Sequence, residues 1–339
     1  MTTVGDGLFQ YGGVPVASPD ALPAEVHMVC KKTTSSTAYP SFDYWYHRFK
    51  KDRFFTTVEE GYAALTTGRN DVLYISPDSH VPVAAGSSIA SHIFAKSNCH
   101  VIGCNLSSPG YPCSVISDDG STGTGHYNPL VSVTGHYNSF RNLRMDYGNA
   151  TNTNLNALRV EGNGNLFENC YFRTPLSSTL ADLATFDAVI VGGKGNTFRN
   201  CIFGALWEKR SAASSLLKFQ RATGGTAARH TVFENCVFRS EIDNVGAFMI
   251  DVNSDAGGLA GPQFFKNCMF YAHWSDQGDQ GTVAIRWGTA GLVGTLHFDA
   301  NCTFWGFDDI TTAGMGRAGI IFGQSGLTAA TLGMSLVTA

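Results

Sequence analysis

Short apolar runs separated by turn-forming residues dominate the chain, and one pattern returns at nearly even spacing. It reads "FENCYF" at 167–172, "FRNCIF" at 198–203, "FENCVF" at 233–238, "FKNCMF" at 265–270 and, lengthened by one residue, "FDANCTF" at 298–304. The asparagines of these copies, Asn169, Asn200, Asn235, Asn267 and Asn301, stand 31, 35, 32 and 34 positions apart. A weaker copy, "FRNLRM", contributes Asn142, and "KSNCHVIG" carries Asn98. Each copy follows a second apolar run, such as "ALRV" (157–160), "AVIV" (188–191), "LLKF" (216–219), "FMIDV" (248–252) and "VAIRW" (283–287). Gly-rich segments such as "EGNGN" and "GGKGN" lie between the two runs. The repeating unit is therefore strand, Gly-rich turn, strand, corner, strand, then a return loop of variable length.

Parity inside the motif says what the asparagine does. The second position reads Glu168, Arg199, Glu234 and Lys266 across the copies, so it faces water. Side chains alternate along a strand, so Phe167 faces inward. Phe172 is apolar in every copy yet has the opposite parity, which requires one break in alternation between the two rings. Asparagine is the non-glycine residue best suited to that break, because it tolerates the left-handed conformation. Asn142, Asn169, Asn200, Asn235, Asn267 and Asn301 are read as corner residues. Cys170, Cys201, Cys236, Cys268 and Cys302 are read as turning inward behind them. The extra Ala300 suggests a bulge at the last corner.

Identical corners in successive units imply stacked coils about 4.8 Å apart, with Asn over Asn, Cys over Cys and Phe over Phe. That is the logic of a parallel β-helix of roughly seven to nine coils. Leucine-rich repeats use a shorter, Leu-based period, and propeller blades do not use a single Asn corner with such short strands. The fold class expected is all-β: a single-stranded right-handed parallel β-helix with a short N-terminal capping helix and an extended N-terminal arm. The cap is read in "TVEEGYAAL", with Val58, Tyr62 and Leu65 on one face and Thr57 and Glu60 as a capping box. Residues 1–52 are expected to form an arm or docking segment, 53–323 the coils with their cap, and 324–339 a tail or end cap.

A helix, a Gly/Asp turn, the strand "VLYISP", then "KSNCHVIGCN" and the x-N-C-x-F coils resemble pectate-lyase-like right-handed β-helix proteins. With a Gly/Pro-rich start and the stretch "FDYWYHRFKKDRFF" ahead of the coils, the arrangement also resembles β-helical virion proteins of tailed bacteriophages. The second resemblance implies a homotrimer docked on the major capsid protein or another virion protein. The aromatic residues Phe9, Tyr11, Phe42, Tyr44, Trp45 and Tyr46 are candidates for that docking.

Composition narrows the classes. Charged residues make up 15% of the 339 and hydrophobic ones 43%, with 38 Gly, which suits a turn-rich β protein. A net charge of −4 argues against a general nucleic-acid binder. No apolar run has the length to span a bilayer, so no membrane partner is expected. The start lacks the pattern of a signal peptide, which points to synthesis in a host cytoplasm, and a final place in the virion is what the phage resemblance implies. The nine cysteines include no CxxC pair and no zinc spacing, so they are read as buried, reduced thiols, with no metal and no cofactor.

Candidate chemistry is sparse. Asp118 and Asp119 are adjacent in a Gly/Ser loop and point apart on a strand. Glu161, Asp187 and Asp251 lie near coil strands but recur at no common register. Asp276 and Asp279, in "HWSDQGDQG", read as a solvated loop, and His126 and His136, in two "TGHYN" copies, as hydrogen-bonded turn residues. Neither the Gly-His-Gly turn with Arg-x-Lys of the family's glycosidases nor a lyase-type basic motif is present. The expectation is therefore of no catalytic residues and no enzyme, but a structural virion protein, most concretely a capsid decoration or cement protein. The alternative is a tailspike-like polysaccharide depolymerase or lyase, or a carbohydrate-binding adhesin, acting on the host surface.

Overall fold

The computed structural model describes residues 25–30, 51–77, 79–80, 91–104, 114–117, 129–146, 156–173, 187–205, 209–210, 214–221, 225–242, 247–252, 259–274, 283–287, 294–307, 309–311 and 320–322. Three parallel sheets run the length of the molecule. Sheet A, with eleven strands, leads into the corners and includes Cys99–Gly103, Ser139–Arg141, Leu166–Glu168, Thr197–Arg199, Val232–Glu234, Gln263–Lys266 and Leu296–Phe298. Sheet B leaves the corners and includes Leu143–Asp146, Tyr171–Arg173, Ile202–Phe203, Val237–Ile242, Met269–Trp274 and Thr303–Trp305. Sheet C, with eight strands, carries the second apolar runs, among them Leu158–Val160, Asp187–Val191, Ser215–Phe219, Phe248–Val252 and Val283–Trp287. Each unit passes from C to A to B, and each strand pairs with its counterpart one coil away. The fold is a right-handed parallel β-helix, as the repeat spacing requires.

The corners have the geometry inferred from parity. Asn142, Asn169, Asn200, Asn235 and Asn267 all have φ between 50° and 55°, whereas Asn98, also left-handed, is not one of these corners but lies in the turn ahead of sheet A, in register with Tyr137. Phe167, Cys170 and Phe172 are buried, while Glu168 stays partly exposed. Along the core, Phe140, Phe167, Phe198, Phe233, Phe265 and Phe298 stack face to face with centroids 4.6–5.0 Å apart. A second column, Phe203, Phe238, Phe270 and Phe304, stacks at 4.4–4.6 Å. Each buried ring contributes roughly 1.5–3 kcal/mol through area removed from water.

Asn301 departs from the expected set. It is exposed and does not share the left-handed φ of the others. The added Ala300 spreads this corner into a turn closed by Cys302 N–H donating to the Asp299 carbonyl at 3.2 Å. The Asp299 carboxylate then accepts from the N–H groups of both Asn267 and Asn301.

Two further ladders accompany the corners. The water-facing motif positions alternate in sign, Arg141–Glu168–Arg199–Glu234, with contacts of 3.2, 3.5 and 2.8 Å. Inside, at the turn between sheets C and A, Asn138, Asn165 and Asn196 form a buried amide ladder. Each accepts one backbone N–H of the preceding coil at 2.9 Å. Asn165 Nδ2 also donates to the Gly135 carbonyl at 3.0 Å. Close approach makes glycine necessary here: a Cβ on Gly162 would lie 1.8 Å from the Gly135 oxygen.

At the N-terminal end, helix α1 (Val58–Ala64) covers the core with Val58 and Tyr62, and Leu65 follows at its C-cap. Thr57 caps it by accepting from Glu60 N–H. Lys96 closes the other end, its Nζ donating to the carbonyls of Tyr62, Ala63 and Leu65. Val26–Val29, within the segment expected to be an arm, is a strand of sheet A paired with Asp71–Ile75. Phe9, Tyr11, Phe42, Tyr44, Trp45 and Tyr46 lie outside the described residues, as do 324–339.

Candidate functional site

The outer face of sheet C carries a cluster of charged side chains drawn from four coils. Its position follows from a second break in alternation. Ala188 and Val189 both belong to the core, which leaves Asp187 and Ile190 facing out. Register carries that pattern along the axis, with Asp187 beside Ser215 and Phe248, and Ile190 beside Lys218, Asp251 and Arg286. Two neighbouring columns therefore present Asp187, Lys218, Asp251 and Arg286 from four successive coils.

These groups touch. Lys218 Nζ donates to Asp187 Oδ2 at 3.0 Å and lies 4.0 Å from Asp251 Oδ2. Ser215 Oγ donates to Asp187 Oδ1 at 2.6 Å. Arg286 holds Asp251 in a fork, Nε to Oδ1 at 2.9 Å and Nη2 to Oδ2 at 2.5 Å, and its guanidinium sits 4.8 Å above the Phe248 ring. Both carboxylates are buried, while the Lys218 and Arg286 side chains remain 17% and 27% exposed. Burial pushes the Asp187 carboxyl above the usual carboxylate range, with Lys218 and Ser215 pulling against it. The Asp251 carboxylate raises the Arg286 guanidinium further.

One ammonium thus joins two carboxylates, whose oxygens are no farther apart than the sum of its two contacts. That bound is compatible with the roughly 5–9.5 Å between the carboxyl groups of glycosidase pairs. A carboxyl biased toward its protonated form beside one clamped by a cation is an acid–base arrangement.

The expected candidates are distributed as follows. Asp187 and Asp251 come together, although in different columns, through Lys218. Glu161 pairs with Arg159 at 2.6 Å, farther along sheet C. A further acid, Asp146, lies on sheet B, held by Arg144 and Arg173. His136 Nδ1 accepts from Asn163 N–H at 2.9 Å in a turn. Asp118, Asp119, His126, Asp276 and Asp279 lie outside the described residues. Lys218 and Arg286 are additional; their signal is a charge at the same place in "LLKF", "MIDV" and "AIRW".

A carboxylate–histidine group, Glu25, His27 and Asp71, is close enough to hold a metal ion. Arg69 already bonds both carboxylates, and Arg53 bonds Glu25 at 3.2 Å. Two guanidinium charges balance the two acids, so this is an ion-pair knot that pins Val26–Val29 to its neighbour strand.

No protein-family model matches the sequence, and no curated protein matches it either. Solved structures do match. Pectate lyase Pel9A aligns at TM-score 0.54 and 14% identity, over 89% of this chain and 75% of that one. A rhamnogalacturonan lyase gives 0.53 and 15%, over 83% and 73%. The pectin methylesterase from Aspergillus niger gives 0.51 and 12%, over 94% and 92%. The chain has the pectate-lyase-like fold.

The expectation of a chain that is not an enzyme is corrected at this point. These neighbours are two lyases and an esterase, and the sheet C cluster is the kind of charged constellation that expectation took to be missing.

Proposed function

We propose that the protein is a tailspike-like polysaccharide depolymerase whose reactive centre is the Asp187–Lys218–Asp251–Arg286 cluster. The observation that carries this reading is Lys218 Nζ lying 3.0 Å from Asp187 and 4.0 Å from Asp251, on a fold shared with the lyases. Asp187 is the proton donor to the glycosidic oxygen, since burial favours its protonated form. Asp251, fixed by Arg286, takes the proton of the water that attacks the anomeric carbon as the bond to the protonated leaving oxygen breaks. Lys218 and Arg286 are the more exposed members and meet an acidic sugar first.

The setting proposed is a tailed-phage particle, with the chain as a homotrimer fastened through its N-terminal segment to the major capsid protein or another virion protein. That part rests on the arrangement of the sequence, an arm-like start ahead of capped coils. Sedimentation of the purified chain tests the trimer, and its presence in purified particles tests the location.

The decisive experiment assays reducing-end release from a panel of bacterial surface and plant polysaccharides. Asp187→Asn and Asp251→Asn are each expected to lower turnover by about a hundredfold or more. Glu168→Gln, on sheet A, serves as the control. Undiminished cleavage in both sheet C variants overturns the assignment. Binding without cleavage by the unaltered chain shifts the reading to an adhesin.

A further inference from the structure

The outer face of sheet B carries aromatic rings and guanidinium groups in two neighbouring columns, with the Tyr171 ring buried among them. Its strands place Arg239, Tyr271 and Trp305 side by side on three successive coils. The adjoining column on the same face contains Arg144, Tyr171 and Met269. Trp305 is 67% exposed and Met269 42%, large apolar side chains left in water on regular strands. The arginines are set in place: Arg144 and Arg239 approach the Tyr171 ring from either side, at 5.7 and 5.8 Å from its centroid. Arg239 Nε also points at the Gly204 carbonyl. Arg173 adds a third cation, next to Asp146.

We propose that this face is a second, non-catalytic track that binds an acidic polysaccharide along the coil axis. The inference rests on the polysaccharide reading above and extends it to a surface that reading does not use. Flat rings give apolar platforms for sugar faces, and fixed guanidinium groups match carboxylates in a fork. Among the described residues of this face, three arginines stand against Asp146 and Glu241; Asp146 pairs with Arg144 and Arg173, and Arg239 beside the exposed rings adds the positive charge that an acidic polymer needs. Arg239, Tyr271 and Trp305 lie on three successive coils, so a polymer running along the axis meets all three at once. A protein partner would favour a drier centre, with charge pushed to the rim, rather than cations threaded between the rings.

The test is affinity electrophoresis of the full chain through gels containing polygalacturonate, alginate or neutral dextran. The unaltered chain is expected to be retarded by at least one acidic polymer and not by dextran. Trp305→Ala and Arg239→Gln are each expected to weaken that retention about tenfold, a step of about 1.4 kcal/mol. Asp187→Asn is expected to keep it, which separates this track from the reactive centre. Trp305 is exposed, so its removal spares the core, and circular dichroism melting verifies the fold of both variants.

Retention unchanged in both variants overturns the track. So does equal retention by dextran, or absence of retention of the unaltered chain in all three gels. A change in sedimentation on Trp305→Ala also overturns it, by assigning the face to contact between copies of the chain. Turnover of short soluble oligosaccharides decides the depolymerase reading separately.

Discussion

Arg286 holds Asp251 through two hydrogen bonds between adjacent coils, at 2.9 and 2.5 Å, and the Asp251 side chain is wholly buried. Removing the cation leaves a buried carboxylate without its forked partner. Arg286→Leu is therefore expected to destabilise the fold by about 3 kcal/mol. Arg286→Leu with Asp251→Asn is expected to cost less than Arg286→Leu alone, since no unpaired charge then remains. Urea unfolding of the two single variants and the double variant measures the coupling.

Asp187 gives the cluster a pH signature. Its folded pKa is raised above that of an unfolded aspartate, chiefly by burial. The folded state then binds the proton more tightly than the unfolded one. Its contribution to stability is complete below the unfolded aspartate value and is lost as pH rises through the folded value. Asp187→Asn, which mimics the protonated carboxyl, is expected to flatten that part of the profile, seen as a variant stability that rises relative to wild type as pH climbs through the folded value. The acid role adds a second reading: cleavage by the unaltered chain declines as pH rises through the same value. Unfolding and turnover measured across one buffer series report both.

The parts of the molecule that repeat were legible in the sequence, because a repeated position is sampled five or six times. Phe167 and Phe172 revealed the corner by their conflicting parity, and the Asn φ values show that corner directly. Asn301 was misjudged because one inserted residue changes how the turn closes, something identity alone does not display. The inner ladder of Asn138, Asn165 and Asn196 escaped notice because its position passes to Thr231 and Gln263 in later coils. The sheet C cluster was harder still. Asp187 and Asp251 occupy different columns, and a long lysine spans the offset between them. A search for acids at one register cannot find a pair joined by a side chain that long.

The stacked cysteines give a chemical prediction. Cys170, Cys201, Cys236, Cys268 and Cys302 are free and buried, and each Sγ donates to a backbone carbonyl at 3.3–3.4 Å. Burial pushes the Cys99 thiol up to about 11 and the Cys104 thiol to about 12. At these two sites thiolate, the reactive form, is therefore scarce near neutral pH, and burial keeps reagent from the five stacked thiols. Alkylation at about pH 8 is expected to leave all of these thiols unmodified in the folded chain, with labelling that follows global unfolding. Mass spectrometry of the labelled protein resolves the sites. Rapid modification of any of the five in the folded state contradicts a closed ladder.

The two asparagine ladders should differ sharply under mutation, although both join neighbouring coils. In the outer one, Asn200 is exposed with φ 52°, and its carbonyl accepts from the Asn235 amide at 3.2 Å. Asn200→Gly keeps the left-handed corner and is expected to be close to neutral, whereas Asn200→Ala carries a conformational penalty of about 1–2 kcal/mol. In the inner one, Asn165 is buried, accepts from Asn138 N–H and donates to the Gly135 carbonyl. Asn165→Ala leaves that donor and that acceptor buried without partners, at about 1–3 kcal/mol apiece. It is expected to be the most destabilising of the three. The order Asn200→Gly, Asn200→Ala, Asn165→Ala in loss of unfolding midpoint is the outcome to check by urea titration. An Asn165→Ala midpoint as high as that of Asn200→Gly would mean that the inner amides are not what ties one coil to the next.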